Sequence, residues 1–119
     1  GWIVSIRSPK GWLIQQSSPQ FCKTLGYDWT SYRVNDVVGM LRDDIINVYP
    51  LGKIKRYDTP ISVYINQISK KDGKSIWVET SGTTIFLDEG DIRITLVKSV
   101  EHIISKFKDN KGEDANYSI

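Results

Sequence analysis

Alternation of apolar and polar residues dominates both ends of the chain. Trp2 to Arg7 and Trp12 to Gln16 are short β-rich runs. Ser8-Pro9-Lys10-Gly11 lies between them, with proline to set φ and glycine to permit a positive φ, so the pair predicts a hairpin. In the second half, Ile61, Val63 and Ile65 alternate with Ser62, Tyr64 and Asn66. Ser75 to Thr84 and Ile85 to Leu87 continue a β-rich stretch, and Ile92 to Val97 alternates again. Lys71-Asp72-Gly73-Lys74 and Asp88-Glu89-Gly90-Asp91 carry turn chemistry, which predicts an antiparallel meander of three strands.

Helical spacing fills the remainder. Ser18 suits an N-cap and Pro19 the first helical position; Phe21, Cys22 and Leu25 then share one face, and Gly26 sits where a C-cap glycine belongs. Val34, Val37, Val38 and Leu41 repeat at i, i+3, i+4, i+7, interrupted by Gly39, and Asp43 to Val48 reads as a further helical turn. Pro50 and Gly52 break the pattern, and Lys53 to Asp58 is read as loop or the end of a short helix. Val100, Ile103, Ile104 and Phe107 form an amphipathic stripe that predicts a C-terminal helix. Residues 1–107 are thus read as one domain, and 108–119 as a polar tail or linker. The expected architecture is α+β: a five-stranded antiparallel sheet made by joining the end hairpins, with short helices covering one face.

Composition narrows the function classes. The chain has 119 residues, 39% hydrophobic and 25% charged, an ordinary globular balance. No apolar run approaches the ~20 residues that cross a bilayer. The net charge of +2 is spread along the chain rather than gathered on one face, which argues against direct nucleic-acid contact. Cys22 is the one cysteine, which excludes an internal disulfide framework and fits a reducing, intracellular compartment. On a helix face with Phe21 and Leu25, it reads as a packing residue. His102 has no Cys/His cluster around it and does not make a metal site. Asp43, Asp44, Asp88, Glu89 and Asp91 fall at predicted turns, where carboxylates serve local hydrogen bonds. No nucleophile stands beside a base in a catalytic motif, and no phosphate loop is present, so the reading is of a non-enzymatic chain.

Four stretches in order resemble a PAS domain and cover nearly all of residues 2–100. These are Gly11 to Ser18, a strand leading into a helix; Ser18 to Tyr27, similar to the family's N-x-x-F-x-x-L-x-G-Y helix; Val37-Val38-Gly39 followed by Arg42-Asp43-Asp44-Ile45, similar to its L-x-G and H-P-D-D segments; and Lys71 to Gly82, close to its K-D-G-x-x-x-W-V-E pattern. Within the family, the chain is most similar to the non-photosensory PAS repeats of fungal white-collar-type transcription regulators. The shared residues are Ser18-Pro19, Cys22-Lys23, Leu25, Tyr27-Asp28, Arg42-Asp43-Asp44-Ile45 and Pro60-Ile61-Ser62-Val63. Where light-sensing members carry G-x-N-C-R-F-L-Q, this chain reads Gly39-Met40-Leu41-Arg42-Asp43-Asp44, without the flavin-bonding cysteine. Haem-binding members use a histidine before the third strand, and His102 lies after the last. The resemblance therefore implies neither flavin nor haem, and no cofactor is expected.

It does imply a regulatory module in a transcription regulator or signalling protein. Ile76, Val78 and Thr80 share one strand face, and Trp77 and Glu79 the other. If the first set lines the core, Trp77 is displayed on the open sheet face. There it anchors another PAS domain, in a homo- or heterodimer, or packs under the chain's own flanking segments. Trp77, Glu79, Val100, Ile103, Ile104 and Phe107 are the candidate interface. The alternative is a sensor whose small apolar ligand sits between sheet and helices, in a cavity lined by Phe21, Leu25, Ile76, Val78 and Leu96.

Overall fold

The computed structural model describes residues 1–46, 52–54 and 63–101. Strands β1 (Trp2–Ser8) and β2 (Gly11–Ser17) form the first hairpin. Helix α1 (Pro19–Leu25) follows, and then a small hairpin of β3 (Trp29–Ser31) and β4 (Val34–Asn35). Helix α2 (Arg42–Ile45) precedes the edge strand β5 (Gly52–Ile54). The meander is β6 (Val63–Ser69), β7 (Ser75–Ile85) and β8 (Ile92–Ser99).

The first hairpin and the meander join in one antiparallel sheet because β1 pairs with β8, Ile3 opposite Thr95 and Val4 opposite Ile94. The order is β2-β1-β8-β7-β6-β5. Five long strands match the expected sheet; β5 is a sixth, where the sequence reading placed a loop or helix end. Polar Lys53 hid this strand, which has only three residues to show a period of two. Among the described residues, no helix is long and apolar enough to cross a membrane.

Helix α1 follows its caps. Ser18 accepts a hydrogen bond from the Phe21 amide and another from the Trp2 amide, tying the helix start to β1. Gly26 closes the helix at φ 83°, a left-handed conformation that costs glycine nothing. The helix buries Phe21, Cys22 and Leu25 against Ile3, Ile14, Ile68, Val78 and Val97. The helical reading of Val34 to Leu41 is corrected: β4 and turns occupy that stretch. Val37 is fully buried while Val34 is 60% exposed, so the four residues do not share a face. Hydrogen bonds from Gly39 to Ile14 and from Ile14 to Met40 hold the turns on β2 instead.

Candidate functional site

The meander places the candidate residues. Strands β6 and β7 pair Ile68 with Ile76, Asn66 with Val78 and Tyr64 with Thr80, so these side chains share the face under the helices. The intervening pairs, Gln67 with Trp77, Ile65 with Glu79 and Val63 with Ser81, share the outer face. Between β7 and β8, Thr80 faces Val97 and Gly82 faces Thr95 on the inner side. Ser81 faces Leu96 and Glu79 faces Lys98 on the outer side.

Three of the expected cavity residues come together. Phe21 and Leu25 of α1 and Val78 of β7 line a cavity of about 280 Å³, with Ile68, Val97 and Gly1. Ile76 is half-buried against the same core cluster but lies off the cavity wall. Leu96 is a correction: it is 52% exposed on the outer face, opposite Ser81 and Trp2. Its neighbour Val97 lines the cavity instead. The alternation from Ile92 to Val97 does not say which row faces inward, and the register turns Thr95 and Val97 inward.

On the outer face, Trp77 is half-buried. Its carbonyl accepts the Val100 amide and its own amide donates to the Glu101 carboxylate, so the chain leaving β8 is held against β7 at this residue. Val63, Ile65 and Val100 are 2–3% exposed, yet none belongs to the core cluster under the helices. A second buried apolar group therefore lies on the outer face beside Trp77. Sequence reasoning named Val100 for this face and missed Val63 and Ile65. Their alternation was visible, but its direction was not. The candidate interface residues Ile103, Ile104 and Phe107 lie outside the described residues, as does His102.

Cys22 is fully buried, and its Sγ lies 3.3 Å from Ser17 Oγ. Burial pushes the thiol up from its ordinary value, which leaves less thiolate for redox chemistry. Of the carboxylates named in the sequence, Asp43 contacts its chain neighbour, while Asp91 reaches across to β1. Asp91 meets Arg7 at 3.1 Å, and Asp43 meets Arg42 at 2.9 Å. Both arginines approach Trp12, at 4.6 Å for Arg7 and 5.7 Å for Arg42.

Compared with models of known families, with curated proteins and with solved structures, the chain matches none.

Proposed function

We propose that this chain is a PAS-type regulatory module of an intracellular transcription regulator or signalling protein, and that it works by protein–protein contact through the outer face of its sheet. One observation carries the reading: the apolar side of β6 and β8 turns away from the helices. Val63, Ile65, Leu96 and Val100 lie there with Trp77, while towards α2 the polar Tyr64, Asn66, Arg93 and Thr95 turn inward. Sheet faces exposed to water usually show the reverse alternation. An apolar outer face is stable in water when something covers it. Val63, Ile65 and Val100 are 2–3% exposed within this one chain, so Leu96 and Trp77 are what remains for another PAS domain or a flanking segment of the same chain to cover. The resemblance on Lys71 to Gly82 supports the same family reading.

Leu96→Asp puts a charge on this face without touching the core. Sedimentation at several protein concentrations is expected to show wild-type dimer giving way to monomer in the variant, with unchanged circular dichroism. A wild-type chain that is monomeric throughout points to a cover supplied by flanking segments; Trp77→Ala then loosens that cover and increases binding of a hydrophobic dye. If neither variant changes assembly or dye binding, the interaction reading fails.

A second reading, a sensor of a small apolar ligand, rests on the cavity beneath α1. Its apolar walls of Phe21, Leu25, Ile68, Val78 and Val97 suit an apolar guest. A native mass spectrum of the purified chain is expected to carry an added mass that denaturation removes; a bare mass goes against this reading.

A further inference from the structure

The inner face of the sheet is divided in two. Beneath α1 it is apolar, with Ile3, Ile68, Val78 and Val97 in the core cluster and Ile76 packed against it. Towards α2 it is polar: β6 contributes Tyr64 and Asn66, β7 Thr80, and β8 Arg93 and Thr95, all bordering a cleft of about 150 Å³ that Arg42 of α2 also lines. By its share of liquid volume, a water takes about 30 Å³, so the cleft holds about five waters or an organic acid of a few carbons.

The polar groups here are not balanced by one another. Thr95 Oγ1 and Asn66 Oδ1 are buried and have no hydrogen-bond partner among the described residues, and the same holds for Ser5 Oγ. Thr95 and Asn66 line the cleft, whereas Ser5, opposite Arg93 in the β1–β8 register, does not. A buried polar atom without a partner is destabilising, and native proteins rarely keep several together unless a ligand or ordered water satisfies them. The charges are arranged likewise. Arg42 donates from Nε and Nη2 to Asp43 Oδ1, at 3.0 and 2.9 Å, and Arg93 donates from Nη1 to the Thr84 hydroxyl at 2.9 Å. The described walls thus carry two guanidiniums and the one carboxylate of Asp43, with guanidinium N–H groups of both arginines left over. Burial and the positive charge of Arg42 both hold Arg93 below its ordinary arginine value, as expected where a second cation is near. Gly82 makes the room: a Cβ there would stand 3.1 Å from Arg93 Nη2 and 2.8 Å from the Ile94 carbonyl.

We propose that this cleft binds a small carboxylate anion between Arg42 and Arg93. The guanidiniums take the carboxylate oxygens in the fork geometry that favours Arg over Lys. The Thr95 hydroxyl donates to the anion, and Asn66 Oδ1 accepts from a water bound beside it. The site lies on the opposite side of the sheet from the outer face, so it does not rest on the proposed interaction function.

The test is an NMR titration of the whole chain with malonate, using neutral malonamide and inorganic phosphate as controls. Malonate is expected to shift the amide signals of Asn66, Thr80 and Thr95, with malonamide giving no shift. Arg42→Gln and Arg93→Gln are each expected to weaken malonate binding about tenfold or more, the usual scale for one charged hydrogen bond. Arg42 is on a short surface helix, so Arg42→Gln keeps the test decisive if Arg93→Gln does not fold. No shift with malonate means a cleft that holds water, and the proposal fails. It fails too if malonamide binds as well as malonate, if phosphate binds more tightly than malonate, or if Arg42→Gln binds malonate unchanged.

Discussion

Leu25→Ala is expected to cost about 2–5 kcal/mol of folding stability, while Leu96→Ala is expected to stay within about 0.5 kcal/mol. The sequence puts both leucines in the lining of one cavity, so the pair tests the register of β8 directly. Leu25 is fully buried, on the face of α1 that packs against Ile3, Ile68 and Val78. Truncation there removes transfer free energy and enlarges a cavity that already has about 280 Å³. Leu96 is 52% exposed on the outer face, and its shortening leaves no void. Urea unfolding of both variants reads the difference, with the protein dilute enough that self-association does not add to Leu96. Similar losses for the two would place Leu96 inward and overturn the assignment of faces on which the interaction reading rests.

The sequence was most legible where single residues set the backbone. The turns after Ser8, Lys70 and Leu87 and the caps of α1 all stand where their glycines, prolines and serines indicated. The β3–β4 hairpin was not legible, because strands of three and two residues are too short to show a period. Chance spacing among Val34, Val37, Val38 and Leu41 then passed for a helix. The sheet faces were the subtler failure. Alternation shows that two faces differ but does not say which one meets the helices. On β7 the apolar set of Ile76 and Val78 does turn inward, which fixed Trp77 on the outside as expected. On β8 the more apolar row, Ile92, Ile94 and Leu96, turns outward, and the row with Arg93 and Thr95 turns inward. β6 is divided in the same way, with Val63 and Ile65 out, Tyr64 and Asn66 in. Charged and hydroxyl residues in strands read as solvated, so the cleft between Arg42 and Arg93 had no signature in the sequence. It became visible only once the register had brought β6, β7 and β8 together. One inversion thus underlies both proposals: an apolar surface turned outward leaves Leu96 open to a partner, and a polar surface turned inward leaves groups for a ligand or ordered water to satisfy.

Thr95→Val is expected to stabilise the chain, by about 1 kcal/mol, when no carboxylate is present. The Thr95 hydroxyl is buried without a partner among the described residues, and replacing such a group by an apolar one of the same shape removes its desolvation cost. Valine also suits the strand position as well as threonine does. The same substitution is expected to weaken malonate, because the hydroxyl is one of the groups assigned to hold it. A gain in stability coupled to a loss of binding is the pattern of a site kept strained for function. Chemical unfolding with and without malonate measures both sides on one protein. If Thr95→Val destabilises the carboxylate-free chain by about 1 kcal/mol or more, ordered water satisfies the hydroxyl in solution. The orphaned atoms would then argue for hydration rather than for a ligand, and the case for the anion would rest on Arg42 and Arg93 alone.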